Sequence, residues 1–230
     1  MDINKSEKII IYHASTMEVR NPIWNYEHSK ERKDLGVGFY SSLDADYPVL
    51  LYCNNDVVIL NRYELDVSGL NILRLENNID WLLAVGFHRS NYSRKQKYAL
   101  LRDKYHNLIS NCDIVVGRIT NDNFFSTMDF FFRNIITDYV AINILQVMNY
   151  PEQYVFKSEK GCGNLKWIDS TQIDSETLKR LRSEKLSNKD KMDDMVEEMR
   201  VKLRPTDNGR LFSEIVTEMI ELGKSNIGSL

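Results

Sequence analysis

Residues 8–16, Lys-Ile-Ile-Ile-Tyr-His-Ala-Ser-Thr, set a β-branched apolar run against an abrupt polar stop. Residues 8–12 predict a buried strand, and the polar stretch after them predicts its end, with His13 at the terminus. Outward from there, residues 21–38 are polar and carry Pro22, Gly36 and Gly38, which predicts a long loop. Gly38-Phe39-Tyr40-Ser41-Ser42 reads as the start of a second strand, and Asp44 is placed to cap a short helix through Leu51. Residues 57–67 and 71–75 are strand-like and separated by Ser68-Gly69, which predicts a hairpin or two neighbouring strands. Residues 79–88 and 94–110 follow helical spacing, and residues 113–119 read as a strand. The segment from Phe124 to Met148 predicts one long helix or two. Its Phe124, Phe125, Phe130, Phe131 and Phe132 are expected in the core rather than on a base-stacking platform. Residues 153–158 and 165–168 close the strand set. Strands with helices between and outside them, but no repeating strand–helix rhythm, indicate an α+β fold rather than a doubly wound sheet.

Near Asp174 the texture changes. Residues 174–204 are dense in charge, with Leu178, Leu181, Met192, Met195, Met199 and Leu203 at helical spacing before Pro205. Residues 207–224 predict a second helix striped by Leu211, Ile215, Met219 and Leu222. The chain therefore divides into a domain over residues 1–173 and a helical C-terminal extension over residues 174–230. The extension is expected either to cap the domain or to bind a partner.

Of 230 residues, 43% are hydrophobic and 10% aromatic, enough for a sizeable core and against global disorder. A net charge of -3 argues against gripping nucleic acid by bulk charge. Cys53, Cys112 and Cys162 are far apart and form no C-x-x-C pair, which argues against a disulfide framework or a zinc site. His28, His88 and His106 lack metal-ligand spacing, so no metal is expected. Without a cleavable leader pattern or a membrane-length apolar run, a cytoplasmic protein is expected.

Three segments belong together: Tyr12-His13-Ala14-Ser15, the stretch Asp34-Leu35-Gly36-Val37-Gly38-Phe39-Tyr40-Ser41-Ser42, and Gln153-Tyr154-Val155-Phe156. Their order resembles the poly(ADP-ribose) polymerase-like, His-Tyr-Glu branch of the ADP-ribosyltransferase superfamily. With Asp113-Ile114-Val115-Val116-Gly117-Arg118-Ile119-Thr120-Asn121-Asp122 added, it is closer still to a bacterial family of unknown function in that superfamily. The resemblance spans roughly residues 8 to 170 and rests on the ordered set, since no single motif is specific. It implies a split β-sheet core surrounded by helices, with NAD+ as substrate.

In the resembled enzymes His13 would hydrogen-bond a ribose hydroxyl, Ala14 would pair the nicotinamide carboxamide through its main chain, and Tyr40 would stack on the nicotinamide ring. Gly36 and Gly38 would let the backbone approach the dinucleotide, flanked by Ser15 and Ser41. His13 and Tyr40 are thus expected to meet as facing walls of a dinucleotide slot. NAD+ cleavage leaves positive charge on the ribose, which a carboxylate stabilises. The polymerase branch has Glu where this chain has Gln153, an amide that bonds a hydroxyl but brings no charge. Glu152 is adjacent, yet neighbouring strand residues point to opposite faces, so it serves only through a bulge or a one-residue shift of register.

Further candidates are Asn121 and Asp122 beside the pocket, or as a polar turn capping the next helix. Arg89 is expected on a pyrophosphate or in a surface ion pair, and Tyr52 as a second wall of the slot. The basic run Ser93–Lys97 reads as a solvated face. The expected activity is mono-ADP-ribosylation of a macromolecule. Similar bacterial domains act as toxins of toxin–antitoxin or phage-defence systems, which implies an antitoxin protein on the C-terminal helices. The alternatives are a catalytically silent NAD+ or ADP-ribose-binding module, and an interaction protein dominated by its tail.

Overall fold

The computed structural model describes residues 8–25, 33–89, 98–119, 122–147 and 150–227, with the side chains of 122–126, 187–193 and 223–227 outside the description. The elements run β1 (Lys8–Ser15), β2 (Phe39–Ser42), α1 (Asp46–Tyr52), β3 (Ile59–Asp66), β4 (Ile72–Arg74), α2 (Ile79–Arg89), α3 (Ala99–Ser110) and β5 (Ile114–Arg118). They continue with α4 (Asp122–Phe132), α5 (Asp138–Val147), β6 (Glu152–Phe156), α6 (Glu159–Gly163), β7 (Leu165–Gln172), α7 (Ser175–Leu203) and α8 (Phe212–Ile227). The α+β class expected from the sequence is the one observed.

The strands form one mixed sheet in the order β4-β5-β6-β2-β1-β3-β7, antiparallel except between β4 and β5. Its two halves are joined thinly. β1 pairs with β3 along its whole length, from Lys8↔Asp66 to Ser15↔Ile59, but its register with β2 is the single pair Tyr12↔Ser42. β2 pairs fully with β6 on its other side, from Phe39↔Phe156 to Ser42↔Gln153. Beyond Tyr12 the ladder between β1 and β2 gives way, and His13 stands at the parting.

Alternation along the strands sorts side chains between two apolar layers. Val115 and Val155 face the helices, in a layer with Trp81, Leu82 and Phe87 of α2, Tyr105 of α3, Phe131 of α4, Ile144 of α5 and Phe212 of α8. Ile11, Phe39, Tyr63, Ile114, Tyr154 and Phe156 face the opposite side. A third cluster joins Ala14, Val49, Cys53 and Val58 to Leu178 and Leu181 of α7.

The pair β3 and β4 is neither a hairpin nor a pair of neighbours, contrary to the sequence expectation. Ser68-Gly69 does turn the chain, with Gly69 at φ +70 and Ser68 held by the Asp66 carboxylate. But both edges of β3 are already taken, by β1 and β7, so β4 pairs with β5 at the far end of the sheet. The aromatic segment resolves into two helices, broken where Asn134 takes φ 59. Phe131 and Phe132 are core and Phe130 packs against it, whereas the side chains of Phe124 and Phe125 lie outside the described residues. Asp44 caps α1 by accepting from the N–H groups of Asp46 and Tyr47 at 2.9 and 2.8 Å.

The stretch after Asp174 is not loosely attached. Leu178 and Leu181 lie in the third cluster, Val196, Phe212, Ile215 and Val216 in the first, and Met195, Met199, Leu203 and Met219 pack on it. Among the described residues no helix is long and apolar enough to cross a membrane. The three cysteines are free thiols, Cys53 and Cys162 buried and Cys112 half-buried.

Candidate functional site

His13 is half-buried where β1 and β2 part, and its Nδ1 lies 2.7 Å from the Tyr40 carbonyl oxygen. A carbonyl only accepts, so Nδ1 carries the hydrogen and donates. Burial pulls the imidazole pKa down to about 4, the Lys33 charge adding to the effect and the Tyr40 carbonyl opposing it. The ring is therefore neutral at pH 7, and a neutral imidazole that donates from Nδ1 has Nε2 as an acceptor. Among the described residues Nε2 makes no hydrogen bond.

The rings of His13 and Tyr40 do not face each other. The imidazole lies against Phe39, with 4.4 Å between ring centroids, and Phe39 belongs to the layer opposite the helices. Tyr40 follows Phe39 in an extended strand, so its phenol turns the other way and packs on the helical layer. The expected slot between two facing rings is thus replaced by contact between the imidazole and the Tyr40 main chain.

The phenol is itself engaged. Its hydroxyl donates to the Gly36 carbonyl at 2.6 Å and accepts from the Leu35 N–H at 3.2 Å. Burial raises its pKa well above the usual tyrosine value, with the Asp34 charge reinforcing the shift. The Lys33 ammonium sits 5.0 Å from the ring centroid, over a face expected to stack on nicotinamide. Tyr40 therefore acts as a staple of the glycine loop.

The two glycines have local reasons. Gly36 takes φ +73, and a Cβ there would sit 2.6 Å from His88 Cδ2. A Cβ on Gly38 would sit 2.6 Å from Val155 Cγ1 and 2.8 Å from the Phe156 carbonyl oxygen. Their close approach is to α2 and β6 within the protein, where the sequence reading had placed a dinucleotide. Lys157 clamps the same loop, donating to the Leu35 carbonyl at 2.7 Å and to that of Val37. Gly38→Ala should lower the unfolding free energy by about 1–3 kcal/mol, because the Phe156 main chain cannot yield as a flexible side chain would. Urea denaturation checks this, and an unchanged midpoint would contradict the packing.

Gln153 and Glu152 point to opposite faces, as alternation requires. Glu152 forms an ion pair with Arg74, at 2.8 and 2.6 Å to its two oxygens. Gln153 is buried on the Tyr40 side, and its Nε2 donates to Asp34 Oδ2 at 3.0 Å and to the Arg118 carbonyl at 3.2 Å. Asp34 is buried and also paired with Arg89, the last residue of α2. Arg89 thus lies in an internal ion pair rather than at the surface. Asp34 escaped the sequence reading as a site residue. The available signal was an acid placed directly before the glycine loop, in a segment already singled out.

The other candidates scatter. Ala14 is buried and in register with Leu60 of β3. The Ser15 hydroxyl accepts from Met17 N–H at 3.2 Å, and the Ser41 hydroxyl donates to the Tyr154 carbonyl at 3.2 Å. Tyr52 ends α1 and is exposed. Asp122 opens α4, its side chain outside the description. Asn121, His28 and residues 93–97 lie outside the described residues. His88 sits beneath Gly36 and meets His106 at 4.3 Å between ring centroids. Among the described residues no group of three or more metal-ligating side chains gathers.

Comparison with curated proteins and with solved structures finds no match. The family model described as protein of unknown function, DUF3990, matches residues 9–167, a span that holds β1, the glycine loop, β5 and β6. The chain belongs to the DUF3990 family.

Proposed function

We propose that the chain is an NAD+-dependent mono-ADP-ribosyltransferase acting on a macromolecular target. The bond between nicotinamide and its ribose breaks, nicotinamide leaves with the electron pair, and an acceptor nucleophile takes its place at the ribose carbon and gives up its proton. The observation that carries the reading is the neutral imidazole of His13, anchored through Nδ1 at the parting of the half-sheets. It offers Nε2 as an acceptor to a ribose hydroxyl. The ordered motifs resembling the His-Tyr-Glu branch support the same reading, with Tyr40 acting through its carbonyl and its hold on the glycine loop. An antitoxin partner would meet the outward side of the C-terminal helices, where Leu186, Val201 and Leu222 are exposed.

A second reading is favoured by one observation. Glu152 is committed to Arg74, Asp34 to Arg89, and Gln153 is neutral, so among the described side chains no carboxylate at this end of β6 is open to steady an oxocarbenium ion. That arrangement suits a module that holds NAD+ or ADP-ribose without turning it over. Incubating the protein with labelled NAD+ and cell extract separates the two. Transfer that falls about 100-fold in His13→Ala supports the enzyme. Calorimetric binding of NAD+ without release of nicotinamide supports the module. Transfer indifferent to His13→Ala removes this site from the mechanism.

A further inference from the structure

We infer that Asp34 is a positioning residue that fixes the amide of Gln153 so that Gln153 presents an acceptor oxygen to a ribose hydroxyl. The inference rests on the NAD+ reading of the site. Both partners of the Gln153 nitrogen are groups that only accept: the Asp34 carboxylate at 3.0 Å and the Arg118 main-chain carbonyl at 3.2 Å. An amide flipped by 180° would set its oxygen against those two oxygens, so the flipped state is excluded. Both N–H groups of the amide are thereby used inside the protein. Among the described residues Oε1 makes no hydrogen bond, so it is the one polar atom of this buried side chain still able to accept there. What Gln153 offers a ligand is a lone pair, and the matching chemistry is a hydroxyl donor rather than an anion.

Arg89 completes the arrangement. Its guanidinium bonds Oδ1 of Asp34, and the Gln153 amide bonds Oδ2. Asp34 thus joins the end of α2 to the start of β6 and ties the orientation of Gln153 to the base of the glycine loop. A consequence follows for Gln153→Glu, which would restore the residue found in the polymerase branch. The new carboxylate would stand within hydrogen-bond distance of Asp34 Oδ2 and of the Arg118 carbonyl. Two carboxylates that close cannot both ionise, so the substitution alone should not supply the missing charge.

The test is a double-mutant cycle read by calorimetry with NAD+. In Asp34→Asn, Arg89 claims the single remaining side-chain oxygen and the new amide nitrogen faces Gln153, so Gln153 flips and presents N–H groups. NAD+ binding should weaken about tenfold, the size of one lost hydrogen bond. Gln153→Glu should weaken it by a similar factor. The double variant pairs the new amide donor with the new carboxylate, and should recover to within about threefold of the parent chain. A merely structural role for Asp34 predicts no such recovery. Single variants that each bind NAD+ like the parent chain overturn the inference, and if Asp34→Asn does not fold, undiminished binding by Gln153→Glu does so alone. A carbon-13 carboxyl titration keeps the inference separate from the NAD+ reading. If the parent chain does not bind millimolar NAD+, that reading falls. The orientation itself then stands if Gln153→Glu shows a raised carboxyl pKa that adding Asp34→Asn relieves, and falls if it does not.

Discussion

Phe212→Ala should lower the unfolding free energy by about 3–5 kcal/mol, a large share of the roughly 5–15 kcal/mol that holds a typical domain folded. Phe212 opens α8, well inside the stretch that reads from sequence as an extension. Its ring is 1% exposed and lies 5.4 Å from the ring of Tyr98, 5.6 Å from Phe131 and 4.7 Å from Phe132, centroid to centroid. Removing it leaves a cavity in the largest apolar layer, lined by rigid aromatic rings that cannot collapse to fill it. The same packing predicts that a chain stopped after Gln172 does not fold cooperatively. It would expose the surface now covered by Leu178, Leu181, Val196, Phe212, Ile215 and Val216. Urea denaturation of Phe212→Ala and thermal melting of the truncated chain check the two statements. A truncated chain that melts in one sharp transition at the parent temperature would show that the helices are an accessory. The family match ends at residue 167, yet the core uses the two helices that follow it.

Much of this architecture is legible in the sequence because the local signals agree with the tertiary answer. The β-branched runs at Ile9–Ile11 and Ile114–Val116 are strands, and the Asp44 carboxylate caps the helix that follows it. The Ser68-Gly69 turn was legible as a turn but not as a parting of strands, because its outcome depends on which edges of β3 other segments occupy. The sequence singles out candidate residues, and their mutual geometry is what it leaves unread. His13 and Tyr40 do come together, at a 2.7 Å hydrogen bond, but through the Tyr40 main chain. Whether two rings on different strands share a face depends on register, and a one-residue change of register reverses it. Asp34 and Gln153 are 119 positions apart, and local patterning does not pair residues across that distance.

Unfolding free energy should fall steeply as pH drops from about 6.5 to about 4, with His13 and His88 as the cause. Both imidazoles are pulled down to about 4. Burial dominates for each, with the Lys33 charge assisting at His13, and His106 and Lys157 assisting at His88. In the unfolded chain a histidine titrates near 6.5. Between those values the unfolded state binds protons that the folded state refuses, so stability is full above about 6.5 and is lost as pH falls. Each ring contributes at most about 3.5 kcal/mol to the drop, since one pKa unit corresponds to about 1.4 kcal/mol. Lys157 acts with the same sign at the other end of the scale. Burial and Lys33 pull its ammonium down to about 8, so stability should rise with pH between about 8 and the ordinary lysine value. His88→Gln removes one titrating ring from the acid limb. Its urea midpoint should therefore fall less between pH 7 and pH 4.5 than that of the parent chain. Parent and variant losing stability in parallel over that range would mean that His88 takes up its proton as readily in the folded state as in the unfolded one, against the burial that holds it neutral beneath Gly36.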